Sequence, residues 1–445
     1  MAGCSERTDP TPELLPLPQE VVWSKGAFQK SEVSLSGDPS VVGIVGEWLD
    51  GAGIKRSDTA TGKVNVRLVE RIDQAVVNQE EAYNLTVSQE EISIEAVTEK
   101  GVYWAVQTLR QLTDRSTREV RIPCCEIIDW PAFGIRGFMH DTGRSYISLE
   151  EIKREIEILS LYKINTFHWH LTENQAWRLE SKIYPQLTSP ENMTRYPGGC
   201  YTQEQVREFL DFCRKHHILV IPEIDMPGHS ESFTRTFGCD MQSPKGKGIL
   251  KELLAEACDL FAEEPYFHIG TDEVHFKDPD FVPEMVALVR SKGKKAVSWS
   301  PGCEYAPGEI DIAQIWSYMG KAKPGISSID SRFRYANHFD LFGDIVAVYN
   351  SRIWLNDQEL LPPAWTNSPD VRSPEIDQGN ENCTARPPLP VHLNKGWNKV
   401  FMKLPVGKFT TPEIWLVKWA FTAVFVTPDG SRAVDGLIYS PDKSK

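Results

Sequence analysis

The sequence predicts an α/β protein built on a (β/α) barrel of the TIM type, with a small α+β domain before it and an all-β module after it. Three observations carry this reading. From Ile135 onward, short apolar runs alternate with amphipathic helical stretches, the rhythm of repeated βα units. Polar residues gather at the C-terminal ends of those runs, where a parallel barrel carries its chemistry. No glycine-rich phosphate loop follows the first run, which favours a barrel over a doubly wound nucleotide-binding sheet.

Residues 1–19, rich in Pro and acids toward their end, read as a flexible tether. Residues 20–131 read as an accessory α+β domain. Its strands alternate polar and apolar residues, as in Lys63-Val-Asn-Val-Arg-Leu-Val, Ala82-Tyr-Asn-Leu-Thr-Val and Glu91-Ile-Ser-Ile-Glu-Ala, and its helix spans Gly101 to Leu112. Residues 132–350 hold about seven βα units. Strands are expected within Ile135–Asp141, Asn165–Leu171, Ile218–Asp225, Tyr266–Gly270, Lys295–Trp299 and Ile312–Trp316, with a seventh between Ile326 and Phe339. Asp344-Ile-Val-Ala-Val-Tyr fits strand or helix equally. Ser148-Leu-Glu-Glu151 and Thr202-Gln-Glu-Gln205 both fit capping boxes that start helices, and a third helix lies near Leu250. Residues 351–445 turn rich in Pro, Asn and Trp, with β-like runs at Asn398–Leu404 and Trp415–Val426, and form a C-terminal β module.

At 445 residues the chain is long enough for several domains and a large core. A net charge of −14, with no basic stripe, argues against nucleic acid or anionic membrane as a partner. No apolar stretch reaches the length of a membrane span. Nine scattered cysteines show neither metal spacing nor a disulfide framework and read mostly as small buried hydrophobes. Met1-Ala-Gly-Cys-Ser resembles the tail of a bacterial lipoprotein signal, in which Cys4 would carry the lipid if the chain is exported. The charged and apolar regions of such a signal are missing, so Cys4 is either the end of a longer signal or a coincidence.

The most informative stretch is His268-Ile-Gly-Thr-Asp-Glu273, which places two acids side by side at the end of a buried strand. An arbitrary Asp-Glu pair is more often a solvated loop start. In a pocket, however, adjacent acids repel, so that one holds its proton while the other ionises, as acid-catalysed bond cleavage needs. His168, His170 and His275 invite a metal reading, but the pattern lacks a third ligand at sensible spacing, and neither metal nor other cofactor is expected.

Asp141-Thr-Gly-Arg144, the run His168 to Trp177, the run Pro222 to His229, and His268 to Glu273 resemble successive signatures of glycoside hydrolase family 20, the β-N-acetylhexosaminidases. The N-terminal part is similar to the family's accessory domain, and the C-terminal part resembles the β-sandwich module of Bacteroides-type members. The resemblance implies removal of terminal β-linked N-acetylglucosamine or N-acetylgalactosamine with retention, the substrate's own acetamide being the nucleophile. It implies Glu273 as general acid and base and Asp272 as the group that orients the acetamide. By the same resemblance Arg144 binds ring hydroxyls, Trp299 and Trp316 wall the acetamide pocket, and Tyr335 donates to the acetamide oxygen. His229 and Glu173 form a polar relay to the acid, although the family more often has Asp where Glu173 stands. Glycans with terminal N-acetylhexosamine are the implied partners, and a periplasmic or outer-membrane lipoprotein of a bacterium the implied setting.

The chain departs from the family after Tyr349, passing almost directly into the C-terminal module. The last barrel strand is therefore expected to be absent and the barrel incomplete. Two other readings stand beside the leading one. The first is a truncated, catalytically weak or inactive relative that at most binds sugar. The second is an ordinary two-carboxylate glycosidase with Glu223 or Asp225 as nucleophile.

Overall fold

The computed structural model describes residues 12–114, 120–317, 319–332, 352–360 and 391–403. The chain divides into two compact units, 1–333 and 334–445.

The first unit opens with a seven-stranded sheet made of β1 (Glu20–Phe28), β2 (Glu32–Gly37), β3 (Lys55–Arg56), β4 (Gly62–Leu68), β5 (Tyr83–Val87), β6 (Glu91–Ala96) and β7 (Ile122–Asp129), with helices α1 (Val42–Ala52) and α2 (Glu99–Leu112). The strand order is β1-β7-β5-β6-β4-β2-β3. Alternation explains the pleat: Ile92, Ile94 and Ala96 of β6 are buried while the residues between them are not. Helix α2 starts at Thr98, whose hydroxyl accepts from the Lys100 N–H at 3.2 Å, and it buries Val102, Ala105, Val106, Leu109 and Leu112 against the sheet. Strands β1, β2, β3 and β7 and helix α1 are additional to the elements expected here.

The flexible tether is corrected where the structure describes it. Leu14 is buried in the core of this domain, and Leu15 and Gln111 exchange two hydrogen bonds at 2.9 and 2.7 Å. The apolar Leu14 side chain docks the segment that its polar neighbours would leave in solvent, while Leu15 holds on through its backbone. Residues 1–11, including Cys4, lie outside the described residues.

The βα rhythm then appears as expected, through β8 (Gly137–Asp141), α3 (Leu149–Leu161), β9 (Thr166–His170), α4 (Gln203–Lys215), β10 (Leu219–Glu223), α5 (Glu231–Phe237), α6 (Pro244–Leu260), β11 (Tyr266–His268), α7 (Phe281–Ser291), β12 (Lys295–Ser300), β13 (Ile312–Ile315) and β14 (Ser327–Asp330). All seven strands are parallel and lie in chain order, with β8 and β14 at the edges. This is an incomplete TIM-type barrel among the described residues. Both expected capping boxes form, Ser148 with Glu151 and Thr202 with Gln205. The expected loss of an eighth strand, and the ambiguous run Asp344–Tyr349, fall on residues 333–351, outside the described residues.

Strand β9 shows how the barrel is filled. Its aromatic residues face the helices, where Phe167 and Trp169 pack on Phe209 of α4 with ring centroids 5.8 and 4.9 Å away. Its alternate residues His168 and His170 face the axis, so the interior is polar where most barrels are aliphatic. Beneath the barrel, charged pairs join it to the α+β domain. Lys163, three residues before β9, donates to Asp129 at 2.7 Å and to the Tyr83 hydroxyl at 2.8 Å, and Arg136 donates to Glu81 at 2.6 Å. The accessory domain thus occupies the N-terminal ends of the strands and leaves the C-terminal ends for chemistry.

In the second unit, β15 (Arg352–Leu355), β16 (Gln358–Leu360) and β17 (Val400–Lys403) form an antiparallel sheet in the order β16-β15-β17. The β-like run at Asn398 becomes β17; the run Trp415–Val426 lies outside the described residues. The described cysteines are free, and Cys124, Cys125, Cys213 and Cys258 are buried. Among the described residues no helix is long and apolar enough to cross a membrane.

Candidate active site

The chemistry-bearing residues converge at the C-terminal ends of β8 to β13. Asp272 and Glu273 follow β11, and they differ in exposure. The Asp272 side chain is 15% exposed and that of Glu273 is 58% exposed, so one is recessed and the other stands at the rim. Both look toward His229, whose Nε2 lies 3.4 Å from Glu273 Oε2 and 4.0 Å from Asp272 Oδ2. His229 Nδ1 in turn meets Glu173 Oε1 at 2.6 Å. The longer Glu side chain, where the family more often has Asp, reaches the histidine.

Arg144, in the turn after β8, is fixed from both sides. Its Nη1 donates to Asp141 at 2.6 Å and its backbone N–H to the other Asp141 oxygen at 2.9 Å, while Nη2 pairs with Glu173. Arg144, Glu173, His229 and the acid pair therefore form one connected chain of charges.

The electrostatics follow from burial and like charge. Burial pushes the Asp272 carboxyl up to about 6, with Glu223 and Glu273 adding to the rise and His229 opposing it. Burial likewise holds Asp225 well above the usual carboxylate range, and Asp272 and Glu223 push it further. Burial alone would lower His229, but its bonds to Glu173 and Glu273 outweigh that and carry it up to about 12. The adjacent pair was expected to hold one proton. The recessed Asp272 is the member whose proton is held more tightly than usual.

The backbone that presents the pair is strained. His229, Thr271 and Glu273 are non-glycine residues with φ of 47°, 89° and 49°, each costing about 1–3 kcal/mol. Gly270, with φ of 65°, sits so close to Asp225 that an added Cβ would lie 1.7 Å from its Oδ1. The Thr271 N–H donates to that same oxygen at 3.2 Å. Asp225 thus anchors the loop from below.

Under the loop lies a cluster whose members the sequence reading named one by one, as rejected metal ligands, an alternative nucleophile and a pocket wall, without joining them. Glu223, at the end of β10, is fully buried among His168, His170, His268 and Trp299. Despite burial, His170, His268 and His168 hold its carboxyl well below the usual range. Burial works against a charge on His170, yet Glu223 and Asp141 carry that imidazole up to about 10, whereas burial takes His268 down to about 4. The available signal was the inverted alternation of β9, with histidines on the axial side.

Trp299 is buried and donates its indole N–H to Glu223 at 2.8 Å. Trp316, just past β13, is half-buried and donates its indole N–H to the Pro301 carbonyl at 2.8 Å. Tyr335 lies outside the described residues. Among the described residues, three groups bring possible cation ligands within 4.8 Å of one another: His168–Glu223–His268, His170–Glu223–Asp225 and Asp225–His229–Asp272. In the first two, imidazoles and Glu223 already meet as acid–base partners at hydrogen-bonding distances. His275 is exposed and belongs to none of the three.

Comparison with known proteins places the chain among glycosidases. Residues 133–242 match the catalytic domain of glycosyl hydrolase family 20, and residues 11–130 match domain 2 of the same family. The chain is 39% identical over 307 residues to a beta-hexosaminidase of Porphyromonas gingivalis, covering 56% of this chain and 39% of the relative. It is 35% identical over 322 residues to a beta-hexosaminidase of Vibrio furnissii, covering 63% of this chain and 50% of the relative. Among solved structures it resembles the beta-N-acetylhexosaminidase of Bacteroides fragilis, with a TM-score of 0.58 and 27% identity over 68% of this chain and 69% of that one. It also resembles an exo beta-N-acetylglucosaminidase of Vibrio harveyi in complex with N-acetylglucosamine, with a TM-score of 0.60 and 28% identity over 71% of this chain and 60% of that one. The chain spans half or less of the length of these two curated relatives. With both domain matches following one another along a single chain, and the strand-end residues gathered as described, the chain belongs to glycosyl hydrolase family 20.

Proposed function

We propose that the chain is an exo-β-N-acetylhexosaminidase that removes terminal β-linked N-acetylglucosamine or N-acetylgalactosamine with retention. The observation that carries this reading is the adjacency of Asp272 and Glu273 after β11, one recessed and one at the rim, both beside His229. A standard retaining glycosidase needs its two carboxyls on opposite sides of the sugar. A neighbouring pair suits a substrate that supplies its own nucleophile.

In this mechanism Glu273 protonates the glycosidic oxygen, and the acetamide oxygen of the same sugar attacks the anomeric carbon to give an oxazolinium ion. Asp272 accepts from the acetamide N–H and stabilises the positive charge growing on nitrogen, which requires its ionised form. Glu273 then takes a proton from the water that opens the ring. The attacking oxygen is already in place, and such intramolecular attack lowers the barrier by roughly 7 kcal/mol or more when well oriented. His229, held by Glu173, sets the charge around Glu273. Arg144, fixed by Asp141 and Glu173, is the donor to ring hydroxyls; Trp299 and Trp316 are the pocket walls, and Tyr335 the donor to the acetamide oxygen.

The two-carboxylate alternative fares poorly against the same geometry. Glu223 and Asp225 are buried, and Glu223 already accepts from an imidazole and an indole. Export as a bacterial lipoprotein, with lipid on Cys4, belongs to this reading on the strength of the Met1–Ser5 motif and is tested by radiolabelled fatty acid incorporation in Cys4→Ala against wild type.

The deciding measurement is hydrolysis of a chromogenic N-acetyl-β-glucosaminide by wild type and Glu273→Gln. Activity in the wild type, falling at least about a hundredfold in the variant, supports the reading. Sugar binding without turnover in the wild type favours an inactive descendant. Equal cleavage of substrates lacking the 2-acetamido group sinks the mechanism.

A further inference from the structure

The two oxygens of Glu223 are divided between different partners. Oε2 accepts from His170 Nδ1 at 2.6 Å and lies 2.8 Å from His168 Nε2. Oε1 accepts the Trp299 indole N–H at 2.8 Å. His268 Nδ1 also stands 3.2 Å from Oε1, but the Gly270 N–H donates to that nitrogen at 3.0 Å. Its lone pair is therefore engaged, and the imidazole does not compete with Trp299 for the carboxylate. The indole is further wedged by the His168 and His268 rings, with centroids 5.4 and 4.6 Å away. The Trp299 backbone N–H donates to the Gly270 carbonyl at 2.8 Å, so the same residue braces the loop that carries the acid pair.

The torsion that sets the plane of an indole is soft and broad. A buried N–H left without an acceptor is costly, so the bond to Oε1 selects one orientation of the ring. A glutamine at 223 cannot reproduce this. Its single carbonyl oxygen serves either the imidazole side or the indole side, and its amide N–H₂ then opposes another donor.

We propose that Glu223 is a positioning residue that fixes the Trp299 indole, and through it the depth of the pocket open to the substrate's 2-acyl group. The histidine cluster holds the carboxylate, the carboxylate holds the indole, and the indole sets how long an acyl chain is accepted. This rests on the reading above that Trp299 walls the acetamide pocket.

The test compares p-nitrophenyl N-acetyl- and N-propionyl-β-glucosaminides as substrates of wild type, Trp299→Phe, Glu223→Gln and the double variant. One methylene in a closed apolar pocket changes kcat/KM by roughly 10–200-fold. Trp299→Phe keeps a ring and loses the N–H, and is expected to narrow the acetyl-to-propionyl ratio about tenfold. Glu223→Gln is expected to narrow it equally, and the double variant no further, because the two residues act as one unit. An unchanged ratio in Trp299→Phe overturns the proposal, as does a double variant that multiplies the single effects. Should Glu223→Gln fail to fold, Glu223→Asp takes its place: the shorter carboxylate draws away from the indole N–H and is expected to narrow the ratio, and an unchanged ratio in that variant overturns the proposal. Should the wild type bind without turnover, the function reading fails separately, and the same ratio is read from calorimetric binding of N-acetyl- and N-propionylglucosamine.

Discussion

Two buried polar regions of the first unit use the same residue types to opposite ends. Below the barrel, Asp129 meets Lys163 at 2.7 Å, and Glu81 accepts from Trp104 at 2.6 Å and from Arg136 at 2.6 Å. Each buried acid there has a cation and a neutral donor, and the contacts join two domains. Above, Asp225 and Asp272 are crowded by acids, and burial together with like charge raises both. Paired charge of the first kind gives a rigid joint. Burial and like charge that the neighbouring histidines only partly offset hold protons at unusual pH, which is what general acid–base work uses.

The sharpest way to break this contrast is to unpair the lower region. Lys163→Met leaves Asp129 buried without its cation and is expected to cost about 3–5 kcal/mol in denaturant unfolding. The activity per folded molecule should stay at the wild-type level. A stable Lys163→Met protein would remove the distinction between the two regions.

Neutralising the upper region should do the reverse. Asp272→Asn is expected to lower kcat by roughly 10²–10³, since it removes a preorganised charge aimed at the developing cation. The folded-state value of about 6 lies above the 3.8 of an ordinary aspartate. The protonated form therefore favours the folded state, and that contribution is lost as pH rises from about 4 through 6. At pH 7 the amide should thus gain about 1–3 kcal/mol of stability over wild type. The sign is checked by unfolding both proteins at pH 4 and pH 7, with the gap closing at the lower pH. In the same terms, wild-type kcat should fall as pH drops through about 6, where Asp272 takes up its proton.

The smallest effect belongs to a pair in neither region. Arg56 and Asp50 meet at 2.7 Å with side chains 49% and 58% exposed. Arg56→Ala should shift unfolding by less than about 0.5 kcal/mol, and a larger shift would mean that exposure is a poor guide to worth in this domain.

Much of this arrangement is legible in the sequence because its signals are local. The capping boxes at Ser148 and Thr202 declare their own helix starts, and the run from Tyr266 to Glu273 shows strand, turn and acid pair within eight residues. The Glu223 cluster is not legible in that way. His168, Glu223, His268 and Trp299 come from four strands, and only the side-by-side parallel pairing of β9 to β12 brings them together. An isolated strand histidine reads as one more satisfied core residue until its neighbours are known. Leu14 was missed for a related reason: a single apolar residue in a polar tail declares no partner until the domain core that buries it has formed.

The contact between Gly270 and Asp225 has one more consequence. The position bears no functional group, yet a single methyl placed there would collide with the carboxylate beneath it, so that the turn or Asp225 would have to shift. Under the proposed function, added bulk alone at that position would abolish turnover with the Asp272 and Glu273 side chains themselves unchanged. That backbone position therefore offers a different handle on the loop from the acids themselves.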